Sequence, residues 1–186
     1  RLFHYFEFNE EQFYYQLSKG KRSTFNALVG ICSRAPLTVF DEPTTGMDRL
    51  ARDDFYKALL KDYLHHPRTI IISSHHIDEV EPILEEVILI DQGKLQLQLP
   101  IDEMRHYARG IRGQADEMVS WLKDKTVLYE ERVGMDELFA VVKNDEKLTE
   151  AMEGNFTVTA ISVADLTNYV TNRKKGGIEH VFNETD

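Results

Sequence analysis

Two short apolar runs constrain this chain more than any other feature. Leu37-Thr38-Val39-Phe40 is a compact apolar run that stops at the acidic pair Asp41-Glu42 and Pro43. Residues 68–74, "RTIIISS", form a second and more continuous one. Runs of this kind are typical of strands in parallel sheets covered on both faces. Between them, residues 49–65 carry Leu50, Phe55, Ala58, Leu59 and Tyr63 at helical spacing, which predicts an amphipathic helix. Strand–helix–strand alternation continues to about residue 91 and predicts an α/β domain.

The flanking segments extend this pattern. Residues 20–34 predict a helix with Phe25, Leu28, Val29 and Cys32 on its apolar face, ended by Pro36. A shorter helix is expected from Ile77 to Leu84, and "EVILIDQGKLQLQL" (86–99) predicts a hairpin turning at Gln92-Gly93. After Pro100 the character changes. "IDEMRHYARG" is expected to be a helical linker, followed by strands near 109–113, 126–133, 137–143 and 156–161 and helices at 114–123 and 145–152. That βαββαβ order predicts a small ferredoxin-like α+β domain. A last helix at 163–172 precedes a polar tail, in which "NRKKGG" (172–177) reads as a solvated basic stretch. The expected organisation is an α/β domain over residues 1–99 and a small α+β domain over 100–186.

Composition narrows the function classes. A net charge of -10 over 186 residues argues against a general binder of nucleic-acid backbones. No apolar run approaches the roughly 18 residues that span a bilayer, so a membrane link is expected to run through a partner. The one cysteine, Cys32, forms no internal disulfide, which fits a reducing compartment. The chain starts at Arg1 rather than Met, and it is expected to be a fragment, a processed chain or a sequence from which an upstream part is missing.

The stretch "YQLSKGKRST" (15–24) contains a Gly-Lys and nearby hydroxyls, as a P-loop does. The G-x-x-x-x-G-K-[ST] pattern needs Gly at 15 and Ser or Thr at 22, where this chain has Tyr15 and Arg22. The stretch is not a P-loop. Asp41-Glu42 is the stronger lead, because ligands of parallel α/β sheets bind at the carboxyl ends of strands. An Asp there can hold Mg²⁺, directly or through water, and the next Glu can orient an attacking water. Alone, such a pair reads as a solvated acidic loop. The ordered company it keeps argues otherwise: "LSKG" (17–20), "LTVFDEPTTGMD" (37–48) and "IIISSHH" (70–76).

This set resembles the distal half of an ATP-binding cassette (ABC) ATPase domain. "LSKGK" is similar to the family's signature motif, "LTVFDEP" to its Walker B strand, "TTGMD" to its D-loop and "SSHH" to its switch-histidine loop. The resemblance implies ATP and Mg²⁺ as cofactors. It implies that Ser18, Gly20, Lys21 and Asp48 act on an ATP held by the opposite subunit, Ser18 and Gly20 at a helix start where unpaired N–H groups attract phosphate. Asp41 would be the Mg²⁺ ligand, through water. Glu42 would be the general base, and His75 would contact the γ-phosphate. Lys19 and Lys21 depart from the family's usual Gly and Gln, and Thr38 interrupts the Walker B run.

The family's P-loop, adenine-stacking loop and glutamine loop are not found in this chain and are expected upstream, so the chain alone is expected to be inactive. The implied function is that of the ATPase subunit of an ABC transporter. It would form a head-to-tail homo- or heterodimer, sit on the cytoplasmic face of the cell membrane and drive integral-membrane permease subunits. The ending "ISVADLTNYVT" (161–171) resembles that of export-type subunits. A soluble ABC ATPase of DNA repair or translation is the alternative, but it is expected to show a long coiled coil or second cassette. A non-catalytic regulatory or dimerisation module is a further alternative, which retention of both Glu42 and His75 disfavours. Lesser candidates, His65-His66, His76 and Trp121, read as helix-end, surface and core residues.

Overall fold

In the computed structural model, residues 1–144 and 156–171 are described. The chain divides into two compact units, Arg1–Ile83 and Leu84–Asp186. The hairpin of residues 86–100 therefore falls in the second unit.

The first unit is built on helices α1 (Leu2–Tyr5), α2 (Lys19–Ser33), α3 (Arg49–His65) and α4 (Ile77–Val80), with strands β1 (Leu37–Asp41) and β2 (Thr69–Ser73). β1 and β2 pair in parallel, joined by α3 as a crossover, and their register sets Asp41 opposite Ser73. Both strands thus deliver their last polar residues to the same end.

Strand alternation decides which residues enter the core. Thr38 and Phe40 are buried, and the Phe40 ring lies 5.7 Å from that of Phe55 on α3. Leu28 and Ile31 on α2, with Phe55 and Leu59 on α3, complete this core. Each such side chain contributes about 1.5–3 kcal/mol by leaving water. Leu37, Val39 and Ile71 are exposed, so this two-stranded sheet is covered on one face, not on both as the apolar runs suggested. The face of α2 is also rotated from expectation. Thr24, Ala27, Leu28 and Ile31 are buried, whereas Val29 and Cys32 are exposed. Leu50, at the start of α3, is likewise exposed.

The second unit begins with hairpin β3 (Glu86–Asp91) and β4 (Lys94–Pro100), turning at Gln92 and Gly93, both with positive φ. That pair of left-handed residues suits a tight hairpin turn, and glycine takes the conformation without steric cost. Residues 101–110 do not form a helical linker. Only α5 (Ile101–Met104) is helical, its Ile101 and Met104 are buried, and Ala108 already starts a strand.

β5 (Ala108–Gln114), α6 (Ala115–Trp121), β6 (Val127–Val133), β7 (Glu137–Lys143) and β8 (Thr157–Ala160) follow, then α7 (Val163–Thr171). The four strands form one antiparallel sheet in the order β6-β7-β5-β8. Ile111, Met118, Leu122, Leu138, Ala140 and Val142 make its core, with Trp121 packed against it. The Tyr169 ring of α7 lies 4.6 Å from that of Tyr129, tilted by 37°, and 6.5 Å from that of Phe139. The expected helix at 145–152 and the polar tail lie outside the described residues.

Candidate functional site

The candidate site lies at the carboxyl ends of β1 and β2 and is assembled by three loops of the first unit. The first is the start of α2. Ser18 is its N-cap, and its hydroxyl oxygen accepts from the Lys21 N–H at 3.3 Å. Serine suits this position because its short side chain satisfies a helix N–H that has no intrahelical partner. The helix start leaves further N–H groups available, as an anion site requires.

The second is the turn from Glu42 to Asp48. Glu42 has φ +45°, which for a residue with a Cβ is a strained left-handed conformation. Its carbonyl accepts from the Thr45 N–H, and Gly46, with φ +81°, completes the turn. Asp48 is the N-cap of α3, accepting from the Ala51 N–H at 2.8 Å. The turn is pressed onto the start of α2. A Cβ built on Gly20 would lie 2.2 Å from the Gly46 carbonyl oxygen, so only glycine fits there. The Ser23 hydroxyl also donates to the Thr45 carbonyl at 2.7 Å.

The third is the loop after β2. His75 Nδ1 lies 2.8 Å from both carboxylate oxygens of Glu42. A carboxylate accepts, so Nδ1 carries the shared hydrogen. The His76 ring lies 4.0 Å from that of His75, tilted by 40°, and its backbone N–H donates to Ser74 Oγ. The structure therefore brings Glu42 and His75 into direct contact, with Asp41 adjacent on the same strand end.

Lys21 is placed differently from its expected role. Its ammonium donates to the Phe6 carbonyl at 2.6 Å and lies 5.1 Å from the centre of the Phe8 ring. Its charge is committed to the N-terminal segment. Ser73 was not singled out from the sequence, yet its hydroxyl donates to Asp41 Oδ1 at 2.5 Å and accepts from the Glu42 N–H at 3.0 Å. The usable signal was its position, two residues before His75 and, by register, across from Asp41.

The donor set fits a hard cation. The Ser73 bond engages one oxygen of Asp41, and the other has no partner among the described residues. No cluster of three or more His, Cys, Asp or Glu side chains forms a metal cage among the described residues. The unpartnered Asp41 oxygen could take part in holding Mg²⁺, which is commonly bound by one or two carboxylates together with waters and substrate phosphates.

No family model matches the chain. Curated relatives do. The chain is 22% identical over 147 residues to the ABC transporter ATP-binding protein YtrB of Bacillus subtilis, covering 78% of this chain and 50% of that protein. It is 28% identical over 109 residues to ABC transporter I family member 20 of Arabidopsis thaliana, covering 59% and 33%. It is 36% identical over 79 residues to the retinal-specific phospholipid-transporting ATPase ABCA4 of Bos taurus, covering 42% and 3%. Among solved structures, a cobalt transport ATP-binding protein (cbiO-2) aligns with TM-score 0.48 and 16% identity, covering 78% of this chain and 51% of that one. The chain spans half the length or less of these curated relatives. The motifs and these comparisons point the same way: over the stretches that align, this chain is similar to ATP-binding proteins of ABC transporters.

Proposed function

We propose that this chain supplies the hydrolytic and trans-acting half of the ATPase subunit of an export-type ABC transporter. The observation that carries the reading is the contact between Glu42 and His75 beside Asp41, at the carboxyl ends of two parallel strands. Residues 1–99 would serve as the cassette portion and residues 100–186 as an accessory domain.

Each residue has a role that follows from its position. Asp41 would hold Mg²⁺, through water, with its free carboxylate oxygen. Mg²⁺ held there would supply positive charge to the phosphates of ATP. Glu42 would accept a proton from the attacking water as general base. His75, now bonded to Glu42, would turn its ring toward the γ-phosphate and release the carboxylate for that task. Ser18 and Gly20, at the start of α2, would donate to the γ-phosphate of an ATP held by a second subunit. Asp48, at the end of the turn pressed against Gly20, would pass changes at one site to the other across a head-to-tail dimer. Lys21 would act by anchoring the segment before this helix.

No helix among the described residues is long and apolar enough to cross a membrane. By the likeness to ABC transporter ATP-binding proteins, coupling to transport would run through integral-membrane permease subunits, with this subunit peripheral on the cytoplasmic face. The test is Glu42→Gln in an assembly that includes the P-loop. ATP hydrolysis is expected to fall by about 100-fold or more, as loss of a general base implies, with ATP binding retained. Near wild-type turnover in that variant would sink the assignment.

A further inference from the structure

We propose that Ser73 is a positioning residue that locks the Asp41-Glu42 pair into one geometry, a proposal that rests on the ATPase reading only for its kinetic arm. One hydroxyl makes both bonds. It donates to Asp41 Oδ1 at 2.5 Å and accepts from the Glu42 N–H at 3.0 Å. The same N–H also lies 3.2 Å from the Ser73 carbonyl oxygen. Ser73 thus holds the two acidic residues by different parts, one by its carboxylate and the other by its backbone.

The two bonds have different consequences. The bond to Asp41 occupies one carboxylate oxygen and so fixes which oxygen would be left to hold a cation. The bond to Glu42 supports the left-handed backbone at φ +45°, a conformation that persists only where its surroundings enforce it. That conformation directs the Glu42 side chain to His75 at 2.8 Å. The parallel register makes the device possible, since it sets Asp41 directly across from Ser73. An alanine at 73 keeps the backbone bond but loses both side-chain bonds. A threonine keeps the hydroxyl, and its branched side chain suits a strand.

Residues that orient metal ligands commonly cost about 10- to 100-fold in metal affinity or activity when removed. The test compares Ser73→Ala and Ser73→Thr with wild type in two measurements. In the 186-residue chain, nuclear magnetic resonance reads the Asp41 carboxyl carbon and the Glu42 amide. Both signals are expected to move in Ser73→Ala and to stay near wild type in Ser73→Thr. An unmoved Asp41 carboxyl signal in Ser73→Ala overturns the proposal, whatever the enzymatic activity. In the P-loop-containing assembly, Ser73→Ala is expected to raise the Mg²⁺ half-saturation and lower kcat, each by about tenfold, with KM for ATP nearly unchanged. Ser73→Thr is expected to restore both. A fall in kcat with unchanged Mg²⁺ dependence, or no rescue by threonine, also overturns it. Equal turnover by wild type and Glu42→Gln would instead sink the ATPase reading and leave the resonance measurement to decide on Ser73.

Discussion

Removing Asp62 is expected to loosen the first unit, because it leaves a buried charge without its partner. Asp62 on α3 binds Arg68 at 2.8 Å and Arg34 at 3.0 Å. The two arginines are not equivalent. The Arg68 side chain is 4% exposed, while that of Arg34 is 53% exposed. Breaking a buried ion pair from one side costs about 3–5 kcal/mol, whereas an exposed pair contributes about 0–1 kcal/mol. Arg68 keeps acceptors at the His66 and Ile31 carbonyls after the change, which places Asp62→Ala at the lower end, about 3 kcal/mol. Arg34→Ala should cost no more than about 1 kcal/mol.

Amide hydrogen exchange across α2, α3 and β2 measures this directly. A loss of about 3 kcal/mol corresponds to roughly 100-fold faster exchange through opening of these elements. Asp62→Ala exchange within about threefold of wild type would refute the reasoning, since about 0.7 kcal/mol is a surface value. So would an equal effect from Arg34→Ala. The pH dependence gives a second check. Burial pushes the Asp62 carboxyl up, but hydrogen bonds and charge from Arg68 and Arg34 outweigh it and hold it below its ordinary value. A depressed value in the folded state contributes stability above the unfolded value, near 3.9, and loses it as pH falls through the folded one. Asp62→Ala should therefore flatten the acid limb of the stability profile.

Gly20→Ala places a methyl group against the Gly46 carbonyl, and overpacking of about 1–3 kcal/mol should outweigh the gain in helix propensity; lower thermal stability with faster exchange across residues 42–48 checks it. Lys21→Met removes the charged bond to the Phe6 carbonyl, so limited proteolysis should cut residues 1–8 faster while ATP affinity in a P-loop-containing assembly holds. In the second unit, burial first and the Glu131 hydrogen bond next push the Tyr129 phenol up to about 12. Its folded value lies above the ordinary 10.0, so the stability it contributes is present below pH 10 and lost as pH rises toward 12. Ultraviolet titration should show a late phenolate component that shrinks by one tyrosine in Tyr129→Phe.

Much of this protein was legible without coordinates. Apolar run length, helical spacing and the turn at Gln92-Gly93 are local properties, and they placed most strands and helices within a few residues of where they lie. The acidic pair was legible because a strand that ends in Asp41-Glu42 carries its chemistry in consecutive residues. What faces water was less so. Val29, Cys32, Leu37, Val39 and Ile71 look like core residues by composition, but burial depends on what packs against each face. Periodicity cannot supply that.

The sequence by itself determined which groups could act: a helix start at Ser18 and Gly20, carboxylates at 41 and 42 and an imidazole at 75. Only the tertiary structure decided how they meet. It brought Gly20 against Gly46, set His75 on Glu42, turned Lys21 toward Phe6 and placed the Ser73 hydroxyl between Asp41 and the Glu42 backbone. These contacts join residues up to several tens of positions apart. They depend on strand register and crossover packing, and no local pattern along the chain encodes their distances.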